Sequence, residues 1–125
     1  MSGAVCAILA SGSLLISPGS FTLAWSHSVQ HIRWEEDWQV EQGLLVLREA
    51  RVRGTGAGME IPAGAEFRDG AWHYQPGVPP LHELRLANSP HGGGYEVCQG
   101  VRCVPLAQDG QVAVFQACAQ GPDQG

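Results

Sequence analysis

The stretch whose reading decides the fold is FTLAWSHSVQHIRWEEDW, Phe21 to Trp38. It holds three of the chain's four tryptophans and two of its five histidines. Alternation of apolar and polar residues predicts two strands. On the first, Phe21, Leu23, Trp25, His27 and Val29 share one face, and Thr22, Ala24, Ser26 and Ser28 take the other. On the second, Trp34, Glu36, Trp38 and Val40 share a face opposite Glu35, Asp37, Gln39 and Glu41. A histidine and a glutamate thus fall on the faces expected to be buried. A hairpin closing near Gln30 and His31 sets His27 opposite or diagonal to Glu36. A carboxylate in an apolar layer is costly unless paired, so His27 is the partner this reading assigns to it.

Outward from this stretch the chain keeps producing strand and turn. Ala4 to Leu9 and Leu14 to Ser17 read as a hairpin turning at Ser11 and Gly12; a signal segment competes, but it has no basic start and Ser11-Gly12-Ser13 divides it. Leu44 to Arg53 alternates between Leu45, Leu47, Glu49, Arg51, Arg53 and Leu44, Val46, Arg48, Ala50, Val52, and is expected as a strand over the competing helix because glycines bound it. Asp69-Gly70, Gln99-Gly100 and Asp109-Gly110 mark further hairpins. With 17 glycines and 8 prolines in 125 residues, the expectation is an all-β domain over residues 1–119 with a frayed tail, 120–125. About ten short strands form an antiparallel meander folded as a sandwich or partly closed barrel.

Composition excludes several functions. The net charge of −5 disfavours nucleic acid or an anionic membrane surface as partner. All seven basic residues are arginine, so lysine Schiff-base chemistry and a Walker-type phosphate lysine are absent. No segment is apolar for the ~20 residues a membrane span needs. Cys98 and Cys103 bracket a turn and are expected as a disulfide, with reduced thiols or a metal site as alternatives; Cys6 and Cys118 read as buried, unpaired small hydrophobes.

The candidate site residues follow. His27 and Glu36 are either a structural pair or the polar anchor of a ligand pocket walled by Trp25, Trp34 and Trp38. Catalysis with His27 as base is the remaining reading. Ser28 points away from His27 in a strand, which disfavours a nucleophile pair. Glu35 and Asp37 read as a solvated acidic edge and not as calcium ligands. Gly54, Gly56 and Gly58 could form an anion nest with Arg51 or Arg53, and Met59 plugs the core beside them. His73, His82 and His91 have no metal-triad spacing and are expected at the surface. No cofactor or metal is expected.

The strand FTLAWSHSV followed by WEEDW, then RVRGTGAGME and the Cys98 to Cys103 hairpin, resembles a family of small bacterial proteins classed only as a domain of unknown function. The resemblance runs from about Ala4 to Leu106, and its recurrent pieces are His27-Ser28-Val29, the acid at Glu35 or Glu36, and Gly58-Met59. Members of that family are frequently encoded beside TRAP-type transporters of the TAXI subclass. The resemblance implies an extracytoplasmic (periplasmic) accessory or binding protein, with the transporter's binding protein, its permease or a small solute as partner, and no catalytic residues. The alternative from the residues themselves is a small hydrolase or isomerase using His27 and Glu36.

Overall fold

A computed structural model describes residues 3–9, 12–16, 19–27, 32–53, 63–87, 95–106 and 112–118. Its strands are Ala4–Leu9 (β1), Gly12–Ile16 (β2), Ser20–His27 (β3), Ile32–Glu41 (β4), Leu44–Arg53 (β5), Glu66–Arg68 (β6), Ala71–Tyr74 (β7), Glu83–Ala87 (β8), Glu96–Gln99 (β9), Arg102–Pro105 (β10) and Val112–Cys118 (β11). Among the described residues there is no helix. The strands form two antiparallel sheets, a four-stranded one ordered β2-β1-β11-β8 and a seven-stranded one ordered β10-β9-β3-β4-β5-β7-β6. They face one another as a sandwich and do not close into a barrel. β3, β4 and β5 follow one another as a meander, while β9 returns to β3 and β11 returns to β1.

Turn chemistry produces the hairpins. Gln42-Gly43 and Asp69-Gly70 both have positive φ at both residues, 52° and 78°, and 50° and 79°, the backbone that matches the twist of paired strands. Apolar inner faces then drive the sheets together. Phe21 of β3 stacks on Phe115 of β11, ring centroids 5.4 Å apart, and Val5, Ala7, Ile16, Leu23, Trp38 and Leu45 close around them.

One irregularity sets which side chains reach that core. β4 and β5 pair with Asp37 opposite Glu49 but Trp38 opposite Leu47, so Arg48 is an extra residue, a β-bulge. The bulge reverses the alternation. Leu45 and Leu47 join Ala50 and Val52 inside, and Glu49, Arg51 and Arg53 all turn outward. Neither period-two set of Leu44 to Arg53 is cleanly apolar for this reason.

The passage from β2 to β3 carries the chain from one sheet to the other. There Gly19 donates its N–H to the Gly3 carbonyl at 2.9 Å and accepts from the Val40 N–H at 2.8 Å. A Cβ at this position would lie 2.8 Å from the Gly3 oxygen and 3.0 Å from a Val40 methyl. Gly19→Ala is therefore expected to cost about 1–3 kcal/mol, read as a lower urea midpoint at unchanged slope.

Two disulfides tie the sandwich. Cys98 and Cys103 face each other directly across β9 and β10 and are bonded. Cys6 and Cys118, expected as unpaired core residues, are also bonded, because β1 and β11 are neighbours with Cys6 opposite Gln116 and Ala4 opposite Cys118. No cysteine is free, an inventory compatible with an oxidising compartment. No helix among the described residues is long and apolar enough to cross a membrane, which says nothing of strands.

Candidate functional site

The two faces of the seven-stranded sheet have opposite chemistry, and Glu35 and Glu36 sit back to back on its middle strand, β4. On the outward face the register aligns Glu96, Ala24, Glu35, Arg51, His73 and Glu66 in one row. Glu35 accepts from Arg33 Nε and Arg51 Nε, each at 2.9 Å, and from Arg53 Nε at 3.3 Å. Arg51 also grips Asp37 with two bonds, 2.7 and 2.9 Å, and Glu49 at 3.0 Å. Thr22 Oγ1 donates to Asp37 at 2.7 Å. His73 Nδ1 lies 2.9 Å from Glu49 and its Nε2 3.2 Å from the Arg68 carbonyl. Both ring nitrogens face acceptors.

This arrangement corrects the reading of Glu35 and Asp37 as a solvated edge. They lie on a central strand, and the Glu35 side chain is only 11% exposed. Burial alone would raise its pKa, but the hydrogen bonds from Arg51, Arg33 and Arg53 outweigh it and hold the carboxyl at about 2. Asp37 is lowered too, burial being outweighed by Arg51 and Thr22. Arg51 is raised, chiefly by its bond to Asp37. It is committed to these acids. Nor is His73 a surface residue: its side chain is 10% exposed.

The inner face differs. The register places Trp25, Trp34, Val52, Trp72 and Phe67 in one row across β3, β4, β5, β7 and β6. Trp25 stacks on Trp34 with centroids 6.3 Å apart and planes within 4°, and Tyr95 leans on Trp25 at 5.4 Å. At the far end Phe67 meets Trp72 edge-on at 5.2 Å. Trp25, Trp34, Trp72 and Tyr95 are half-buried, and Phe67 is 55% exposed. These rings extend beyond the tightly packed core around Phe21 and Phe115. They form an aromatic shelf.

Glu36 occupies the next row, between Leu23 and Ala50, with Tyr74 beyond Ala50. Its Oε1 accepts from Trp38 Nε1 at 3.0 Å. Burial raises its pKa, and the indole bond only partly offsets this. The negative charge in turn adds to the burial that raises Tyr74 and Tyr95. Trp38 itself is 3% exposed: it belongs to the core and orients Glu36 and is not a pocket wall.

The expected partnership of Glu36 with His27 does not form as drawn. The hairpin pairs His27 with Ile32 and Leu23 with Glu36, because its connection spans residues 28–31 and is centred earlier than Gln30 and His31. His27 and Glu36 are thereby separated by four register positions, about 13 Å along the strands. The His27 side chain, Ser28, Gly56, Gly58, Met59 and His91 lie outside the described residues. Of the sequence-derived candidates, Trp25, Trp34, Glu36 and Trp38 come together on the inner face, while Arg51 stands on the other. Trp72, Tyr74 and Tyr95 escaped sequence reasoning; the signal was a pair of aromatics at alternate positions of β7 and one just ahead of β9, legible only once those strands are placed beside β5 and β3.

The family described as Domain of unknown function (DUF1850) matches residues 21–106. The chain belongs to the DUF1850 family. No curated protein and no solved structure matches it significantly. The DUF1850 span covers the larger sheet apart from Ser20 at the start of β3, and therefore both Glu35 with its arginines and Glu36 with its shelf. β1, β2 and β11 of the smaller sheet lie outside that span.

Because Glu36 is raised and Glu35 lowered, their stability contributions run in opposite directions with pH. The Glu36 contribution is present below the ordinary value of 4.5 and is lost as pH rises through its raised pKa. Glu36→Gln keeps an acceptor for Trp38 and removes that loss. The variant is expected to melt higher than wild type at neutral pH and to match it at pH below the Glu range, checked by thermal melts at both.

Proposed function

We propose that this chain is a non-catalytic accessory or binding protein of a TRAP-type solute transport system, acting outside the cytoplasm. The observation that carries the reading is the aromatic shelf: tryptophan and tyrosine rings left only partly buried on the same face as a carboxylate, with the reverse side of the sheet closed by ion pairs. Partly buried aromatics with one oriented polar group suit recognition. The two disulfides support an oxidising setting, and the resemblance of FTLAWSHSV and WEEDW to proteins encoded beside TAXI-subclass transporters supplies the transport context. The hydrolase or isomerase alternative rested on a His27–Glu36 pair and loses its support with the register.

The test is capture. Tagged chain is expected to retain the binding protein or permease of a TAXI-subclass transporter from the same genome, and Trp25→Ala with Trp34→Ala is expected to abolish retention while the fold survives. Failure of the wild-type chain to retain either component would sink the transport reading.

A further inference from the structure

The shelf carries one charge, and its sign is informative. Among the described residues no cationic side chain pairs with Glu36. Arg33, Arg51, Arg53 and Arg68 are engaged on the outward face, Arg48 pairs with Glu41 and Arg85 with Glu83, and Arg102 is exposed on the edge strand β10. Tyr74 and Tyr95 feel the charge of the carboxylate, Trp25 and Trp34 stack in the neighbouring row of the same face, and Trp38 fixes the carboxylate's orientation through one oxygen. A half-buried anion beside a row of aromatic rings complements an organic cation, which is attracted by ring quadrupoles and full charge together. An anionic ligand would meet repulsion at Glu36, and a neutral one would leave the carboxylate desolvated without compensation.

We infer that the inner face of the seven-stranded sheet is a binding site for an organic ammonium ion, with Glu36 as counter-ion and Trp25 and Trp34 as the stacking wall. The inference rests on the binding reading proposed above and names its ligand class. The ammonium head seats over the rings near the free edge of the Glu36 carboxylate, and any alkyl substituents lie along Trp34 and Trp72. Glu35, one residue away, cannot substitute because its side chain faces the arginines on the other side of the sheet.

The probe is tetramethylammonium chloride, titrated into the full chain at constant ionic strength and followed by tryptophan fluorescence. Tert-butanol serves as the neutral counterpart of similar shape. The expected result is a saturable change with the cation that is weaker by about tenfold or more for tert-butanol and in Glu36→Gln, whose melting curve shows it folded. Trp34→Ala is expected to weaken binding likewise. Equal responses to cation and alcohol, an unchanged response in Glu36→Gln, or no saturable response in the wild type would each overturn the ammonium site. Capture of transporter components by a chain that ignores the cation overturns this ligand class and leaves the accessory reading standing; cation binding without capture does the reverse.

Discussion

Replacing Cys6 and Cys118 together by alanine is expected to lower the unfolding free energy by about 3–5 kcal/mol. The bond joins positions 112 residues apart in the chain, so cutting it frees nearly the whole polypeptide in the unfolded state. Loop-closure entropy for that length amounts to about 4.8 kcal/mol, and the same relation gives about 2 kcal/mol for the bond between Cys98 and Cys103, only 5 residues apart. Both figures are of the size that matters in a domain stable by ~5–15 kcal/mol. Guanidinium unfolding of the two double variants checks the ranking: the Cys6 and Cys118 variant should have the lower midpoint, and dithiothreitol should bring wild type down past both. A larger loss from the Cys98 and Cys103 variant would contradict the account.

Arg51→Leu is expected to cost about 3 kcal/mol. Removing one partner of a buried ion pair leaves the others uncompensated, which typically costs ~3–5 kcal/mol. Here Arg51 is 13% exposed and bonds Glu35, Asp37 and Glu49 at once, but Asp37 and Glu49 are 38% and 31% exposed and recover some hydration, which places the value at the low end. Glu35 keeps Arg33 and Arg53. In a cycle with Glu35→Gln the double variant should lose less than the two singles combined, by about 1–2 kcal/mol, since the charge left stranded is then gone. The pH dependence has a definite sign. Glu35 is lowered from 4.5 to about 2, so its contribution is present above 4.5 and disappears as pH falls through about 2. The shift corresponds to at most about 3 kcal/mol, nearer about 2 once the partial exposure of Arg33 and Arg53 is counted. Arg51→Leu should flatten acid unfolding in that window, measured by urea melts across pH.

The all-β class was legible because alternation and turn chemistry are local. Asp69-Gly70 closes β6 onto β7 with the backbone its residue types favour, and Phe21, Leu23 and Trp25 do share a face with Trp34 and Trp38. What escaped depends on register and on strands far apart in the chain. A shift in the centre of the β3–β4 connection moves His27 from the neighbourhood of Glu36 to Ile32. Cys6 and Cys118 could be paired only by knowing that the first and last strands are neighbours. Glu35 reads as solvent-facing because two of its three arginines come from β5, where the bulge turns Arg51 and Arg53 toward it. Glu36 reads as buried correctly in kind, yet its polar contact is the indole two residues along its own strand.

The surplus residue at Arg48 works as a phase inverter between two otherwise regular ribbons. On its C-terminal side the odd-numbered positions, Glu49, Arg51 and Arg53, take the outward, ion-paired face; on its N-terminal side Leu45 and Leu47, odd as well, point to grease. Chain length at this one point therefore decides whether Arg51 and Arg53 meet Glu35 and Asp37, with Glu49 beside them, or all three are driven in among Phe21 and Leu23. Gain or loss of a single residue there would act on a whole sheet face at once, a sensitivity that substitutions, which preserve the count, would leave hidden.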